Sequence, residues 1–267
     1  MANISVDDIV MEVDPHGAYV RRLEYKGRPL LFPYTEFKDG KVRGGMHVCL
    51  PNFGPAPDQD LNQHGFGREA TWQLTTGRAD GASEVRCRLN TSSTHKVAPK
   101  RYHGMYVRLV YGVALNPETN TIDLSADVTI LNRGRQEITI APAFHPYFAI
   151  PMVDTPEDIA VITEPEDAEY RFSKTVWAQS PIIDVSTNRH VIIDAPATPP
   201  IVVGQVNLPQ YVCWSDGRLD EHSRYGYVCV EPTAHGFAFA DPANVRGDVL
   251  EPGAGKVYSI NFSWVID

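Results

Sequence analysis

Residues 257–266 read VYSINFSWVI. Tyr258, Ile260, Phe262, Trp264 and Ile266 alternate with Ser259, Asn261 and Ser263, so an extended chain here carries one apolar and one polar face. This period of two predicts a strand in an antiparallel sheet, with the apolar face packed on a second layer and the other face wet.

The same alternation recurs upstream. In SEVRCRLN (83–90) Val85, Cys87 and Leu89 share a face, and in TIDLSADVTI (121–130) Ile122, Leu124, Ala126, Val128 and Ile130 do. Turn chemistry separates such runs at YKGRP (25–29), TGRADGAS (76–83), NPETN (116–120), NRGRQ (132–136) and EPGAGK (251–256). NPETN predicts a hairpin pairing 104–115 with 121–131. Few stretches carry a convincing helical period, and no repeat or low-complexity linker divides the chain. The expectation is all-β: a large antiparallel β-sandwich, a single domain over residues 1–267, with irregular loops at 51–66, 93–101 and 151–180 long enough to be functional.

Composition narrows the partners. The 267 residues include 24 Lys and Arg against 33 Asp and Glu, a formal charge of -9. A surface of that sign repels phosphate backbones and anionic lipid, so neither nucleic acid nor a membrane is expected as a partner, and an anionic small molecule needs a local basic pocket. The opening MANISVDDIV lacks the pattern of a secretory leader, and no apolar run is long enough to cross a bilayer, which predicts a soluble, cytoplasmic protein. Cys49, Cys87, Cys213 and Cys229 are widely spaced, without Cys-x-x-Cys or zinc-type spacing, and read as reduced, buried thiols.

Four stretches combine polar or charged side chains with turn residues: KVRGGMHVCLPNFGP (41–55), NQHGFGREATW (62–72), APAFHPYFAI (141–150) and YVCVEPTAHGF (227–237). Alternation in the last points Glu231 to the same side as Cys229 and Tyr227. Pro232 then predicts the end of regular pairing and a carboxylate at a cleft rim. A strand-end Glu paired with a surface Arg is the ordinary alternative.

In order and residue types these stretches resemble the galactose mutarotase-like superfamily, specifically the aldose 1-epimerases and the related hexose-6-phosphate 1-epimerases. Arg43-Gly44-Gly45 with VCLPNFGP and then QHGFGREATW is similar to the opening half of the hexose-phosphate enzymes. HPYF (145–148) resembles the second histidine motif of the wider group, VCVEP (228–232) the strand carrying its glutamate, and VLEPGAGKVYSINFSWVI its last hairpin. The resemblance implies an enzyme that interconverts the α and β anomers of an aldose or aldose 6-phosphate. Glu231 would be the base toward the C1 hydroxyl and His145 the acid toward the ring oxygen, with His64 hydrogen-bonding the sugar near that oxygen. One base and one acid suffice for this chemistry, so no metal or organic cofactor is implied. The resemblance also implies that Arg43 and Arg68, with Gln63, clamp a 6-phosphate through their guanidinium forks. The ordinary alternative pairs Arg68 with Glu69 and leaves Arg43 in a turn.

Of the aromatics, Phe144 reads as core and Trp214 as a wall of the cleft, while Trp72, Phe66 and Tyr147 fit either role. His16, His47, His95, His103, His190 and His222 match no motif, and His235 is a candidate partner of Glu231. Two features depart from the family pattern. Residues 252–255 read Pro-Gly-Ala-Gly where relatives carry an acid, and 170–210 holds no counterpart of the Asp motif that binds sugar hydroxyls, leaving Asp184, Asp194 and Asp216 unmatched. A non-catalytic carbohydrate-binding sandwich is therefore the second reading. A metal-dependent cupin-like site using His64, His145, His235 and Glu231 is the third, although no His-x-His occurs.

Overall fold

The structure, a computed structural model, describes residues 1–57, 60–92, 96–151, 159–164, 168–185, 190–196, 198–216 and 225–266. Among these, the strands form two large antiparallel sheets, of ten and nine strands. The strand Gly255–Val265 lies inside the nine-stranded sheet, between Thr198–Val206 and Thr121–Asn132. Its apolar residues Tyr258, Ile260, Phe262 and Trp264 are all buried, as the alternation predicts. Each buried side chain of this size contributes about 1.5–3 kcal/mol relative to exposure.

The hairpin at NPETN is present, joining Met105–Asn116 to Thr121–Asn132 in a register that pairs Asn116 with Thr121. Ile122, Leu124, Ala126, Val128 and Ile130 are fully buried on one face. The two sheets close on each other through that face. Phe148 of the ten-stranded sheet meets Phe262 of the other at 5.0 Å. Tyr111 and Tyr211 each reach across, donating hydroxyl hydrogen bonds of 3.0 Å to the carbonyls of Ala18 and Val203.

The stretch expected to be irregular at 151–180 differs. It contributes the strands Ala160–Glu164 and Ala168–Arg171, at the edge of the nine-stranded sheet, and one helical turn at Lys174–Trp177. The apolar run at 159–163 is short and flanked by Pro and acidic residues, which hides it from a periodicity reading; residues 152–158 lie outside the described residues. The loop at 51–66 has no named strand, and 93–101 ends in the single turn Lys100–Tyr102, with 93–95 outside the described residues. Among the described residues no helix is long and apolar enough to cross a membrane.

The strands that matter for the site break the alternation. Met46–Cys49 and Ala143–Pro146 are buried at every position, as are eight of the nine residues of Tyr225–Thr233. Val48, Phe144 and Val230 face the shared core. Their neighbours Cys49, Ala143 and Cys229 belong to separate apolar clusters on the outer surface of the sheet. A second layer of loop residues, including Phe32, Phe53 and Phe237, covers that surface. Burial on both faces explains why these segments read as unbroken apolar runs in sequence.

Candidate active site

The outer face of the ten-stranded sheet carries one row of side chains set by strand register. Strand Ala143–Pro146 pairs His145 with His47 on one side. On the other, the register that joins Ala143 to Thr233 and Phe148 to Val228 brings His145 opposite Glu231, and Glu231 is the partner of Val212. His145 Nε2 stands 3.5 Å from Glu231 Oε2. That separation is long for a hydrogen bond, and among the described residues neither Glu231 Oε2 nor His145 Nδ1 has a hydrogen-bond partner.

This row floors a cavity of about 550 Å³, within the range that takes a small-molecule ligand. All seven residues singled out from sequence line it: His145, Glu231, His64, Arg43, Arg68, Gln63 and Trp214. Tyr147, His47, His16 and Lys41 line it as well. His47 and His16 matched no motif, and only the strand register reveals His47 as a neighbour of His145.

Glu231 is not at a rim. It is 1% exposed at the cavity floor, and Pro232 does not end the strand, which continues in register through Tyr211–Pro232 and Gln210–Thr233 pairs. A proline has no N–H to give, but its strand partners can still flank it. His235 does not serve Glu231. Its Nε2 lies 3.4 Å from Asp248, which also accepts from Lys256 Nζ at 2.6 Å and Tyr258 hydroxyl at 2.5 Å. Trp72 and Phe66 belong to the core, as does Phe144, while Trp214 and Tyr147 form walls.

His64 is held by the loop rather than by a strand. Its backbone is left-handed, at φ 65°, and Gly65 follows at φ 70°, where a Cβ would lie 2.0 Å from the Leu50 carbonyl oxygen. Only glycine allows that approach. His64 N–H donates to Gly54 O at 2.9 Å, and Gly54 N–H donates to His64 Nδ1 at 3.2 Å. An Nδ1 that accepts is unprotonated, so the neutral ring carries its hydrogen on Nε2. Burial, with Arg68 adding, lowers the His64 pKa to about 3, which keeps this ring a neutral donor.

Burial also acts on the central pair. It pushes the Glu231 carboxyl well above the usual carboxylate range. It pushes His145 well below the usual imidazole range, helped by His47, His64, Arg68 and Arg43. Both groups are driven toward their neutral forms.

The cations differ in their partners. Arg43 Nε donates to Asp216 Oδ2 at 3.1 Å, Nη1 donates to the Val42 carbonyl at 2.9 Å, and the guanidinium lies 5.1 Å from the Trp214 ring. Asp216 also accepts from Tyr227 hydroxyl at 2.5 Å. Arg68 does not pair with Glu69, whose carboxylate is taken by Asn62 Nδ2 at 2.8 and 2.9 Å. Asp184 is held by Gln210 at 2.5 Å and Asp194 is exposed on its strand. Among the described residues none of Asp184, Asp194 and Asp216 lines the cavity.

His145, Cys229 and Glu231 offer donor atoms within 4.8 Å of one another, a set able to hold a metal ion. His235 and His64 do not join it.

The aldose 1-epimerase family model matches residues 3–263. A candidate glucose-6-phosphate 1-epimerase of Escherichia coli (strain K12) is 49% identical over 47 residues, spanning 17% of this chain and 16% of that relative's length. A galactose mutarotase related enzyme from Lactobacillus acidophilus superposes with a TM-score of 0.76 at 17% identity, covering 98% of this chain and 96% of that one. A galactose mutarotase-like protein from Lactobacillus casei ATCC 334 gives 0.75 at 16% identity, with 98% and 99% covered. These solved structures share the fold.

Proposed function

The chain belongs to the aldose 1-epimerase family, and from that premise we propose that it interconverts the α and β anomers of a hexose 6-phosphate. The observation that carries this reading is the His145–Glu231 pair at the floor of a cavity whose wall includes Arg68, a guanidinium with no carboxylate partner among the described residues. Glu231 takes the proton of the C1 hydroxyl while His145 gives one to the ring oxygen. The C1–O5 bond breaks and C1 becomes an aldehyde. Rotation about C1–C2 and the reverse transfers close the ring in either anomer. His64 Nε2–H donates near the ring oxygen, and Trp214 stacks on the C–H face of the sugar.

Proton arithmetic supports the assignment. The form of the pair that opens the ring is carboxylate and imidazolium, and opening leaves carboxylic acid and neutral imidazole, with no net charge change. Burial favours the second form, so the site stabilises the open-chain state.

Arg68 supplies the charge for a phosphate, with Gln63 and Arg43 lining the same cavity. Asp216 partly neutralises Arg43, so Arg68 carries more of the anion's attraction. The short match to the E. coli candidate glucose-6-phosphate 1-epimerase favours the same substrate class. The whole chain acts as one sandwich unit, and its four buried free thiols suit the reducing cytoplasm.

The test is exchange between anomer signals of glucose and glucose 6-phosphate in magnetisation-transfer NMR. Acceleration with the phosphate and not the free sugar is expected, and chelation leaves it unchanged. Saturable sugar binding without faster exchange would instead identify a binding module.

A further inference from the structure

We infer that His47 is a positioning residue: stacked in register on His145, it holds that imidazole in its working orientation. The inference rests on the catalytic reading of His145 given above.

An imidazole that works through Nε2 is ordinarily aimed by an acceptor on Nδ1. Among the described residues His145 has none, its Nδ1 being buried without a partner. The terminal torsion of a histidine is broad and soft, so neighbouring rings must fix it. His47 lies on one face, with centroids 5.0 Å apart and planes 24° apart, and Tyr147 on the other at 4.7 Å and 11°. His64 closes the edge at 5.2 Å.

The stack is anchored beyond His47. Tyr19 lies on its far face, at 5.0 Å and 24°, and the Tyr19 hydroxyl donates to the Gly44 carbonyl at 2.7 Å. Gly45 makes room for it: at φ 66° its Cβ would sit 2.8 Å from Tyr19 Cε1 and 2.1 Å from the Val20 carbonyl oxygen. Tyr19, His47, His145 and Tyr147 thus form one column of rings across neighbouring strands.

His47 itself is 3% exposed, and neither ring nitrogen has a hydrogen-bond partner among the described residues. Its flanking residues in the same strand, Met46 and Val48, are apolar. An aliphatic residue at 47 would avoid burying two unsatisfied nitrogens. What an aliphatic side chain lacks is a flat face. Imidazole is the smallest aromatic ring among the side chains, and flatness is what the gap between Tyr19 and His145 uses.

The test compares His47→Leu, which is not flat, with His47→Phe, which is. His47→Leu is expected to lower kcat by about ten- to a hundred-fold with KM moved less than about two-fold, and His47→Phe to stay within about three-fold of the parent. Should His47→Leu not fold, His47→Met supplies the side chain without a flat face. An unchanged kcat in the leucine or methionine variant, a change in KM alone, or an equal loss in His47→Phe overturns the inference. In the sugar-free protein, nuclear Overhauser contacts between the His145 and Tyr147 rings are expected to persist in His47→Phe and to weaken in His47→Leu. Contacts kept in both, or lost in both, overturn it. That readout needs no turnover, so a parent protein that exchanges no anomers counts against the proposed function and leaves the ring contacts to decide the role of His47.

Discussion

His145 and Glu231 face each other directly across two antiparallel strands, Nε2 to Oε2 at 3.5 Å, with no hydrogen-bond partner for that carboxylate oxygen among the described residues. Side chains opposite each other in a ladder move little relative to one another. The separation is short enough for mutual attraction and long enough to leave both atoms free to bond a ligand entering between them and the cavity.

Glu231→Gln keeps the shape and removes the base. Anomer exchange should fall by about a hundred- to ten-thousand-fold, and His145→Ala should lose a similar factor. Because burial raises the folded-state pKa of Glu231, its contribution to stability is fully present below the unfolded value and lost as pH rises through the folded one. Glu231→Gln has no proton to lose there. Its melting temperature should therefore equal or exceed that of the parent at neutral pH, measured by thermal denaturation. A large drop would show that the carboxylate is structural.

The pH profile follows from the pair holding one shared proton. A second proton must charge an imidazole that burial, with His47, His64, Arg68 and Arg43, holds low, so the acid limb lies below the ordinary imidazole value of 6.5. Losing the last proton must charge a carboxyl that burial holds high, so the alkaline limb lies above the ordinary carboxylate value of 4.5. The rate should trace a bell whose two limbs belong to the pair rather than to either residue. Measuring kcat/KM for anomer exchange across the stable pH range checks this. A profile with a single limb at the ordinary imidazole value would contradict it.

Legibility of the chain tracked whether a strand has one wet face. Gly255–Val265 and Thr121–Asn132 alternate, and their faces were readable from residue types alone. Met46–Cys49 and Ala143–Pro146, covered on both sides, show no alternation. Six of the seven candidate site residues lie in stretches that combine a polar group with a tight turn, and it was the ordered set of stretches, through its resemblance to a family, that singled them out; Trp214 lies outside those stretches. The relation of the seven to one another could not be read in this way, since it depends on which strands become neighbours. His47 went unnoticed for that reason: nothing near residue 47 announces that residue 145 is its strand partner. Asp216 met Arg43 in the same way, through a contact between distant segments.

Asp248 gathers His235, Lys256 and Tyr258 around one carboxylate. Burial alone would raise its pKa, but those three hydrogen bonds outweigh it and hold the group well below the usual range. A depressed folded-state value means stability present above the unfolded value, about 3.9, and lost as pH falls through the folded one. Asp248→Asn should cost about 1–2 kcal/mol at neutral pH, with the gap to the parent closing in acid. Urea denaturation at two pH values tests it. A gap independent of pH would mean that shape, not charge, is what Asp248 contributes.

Arg43 and Arg68 should separate by their partners. Arg68 lines the cavity with no carboxylate partner among the described residues, so Arg68→Ala removes charge available to a phosphate. KM for glucose 6-phosphate should rise by about ten-fold or more, as for loss of one charge-assisted hydrogen bond worth about 1.5–3 kcal/mol. Any weak exchange of free glucose should be unaffected. Arg43→Ala removes one partner of Asp216, which keeps the Tyr227 hydroxyl, and takes the guanidinium from the Trp214 ring. Its loss with the phosphate should be smaller than that of Arg68→Ala. Raising ionic strength should weaken phosphate binding in the parent more than in either variant. Equal effects of Arg68→Ala on the free and phosphorylated sugar would place that guanidinium against the ring rather than a phosphate, and the substrate would then be a neutral aldose.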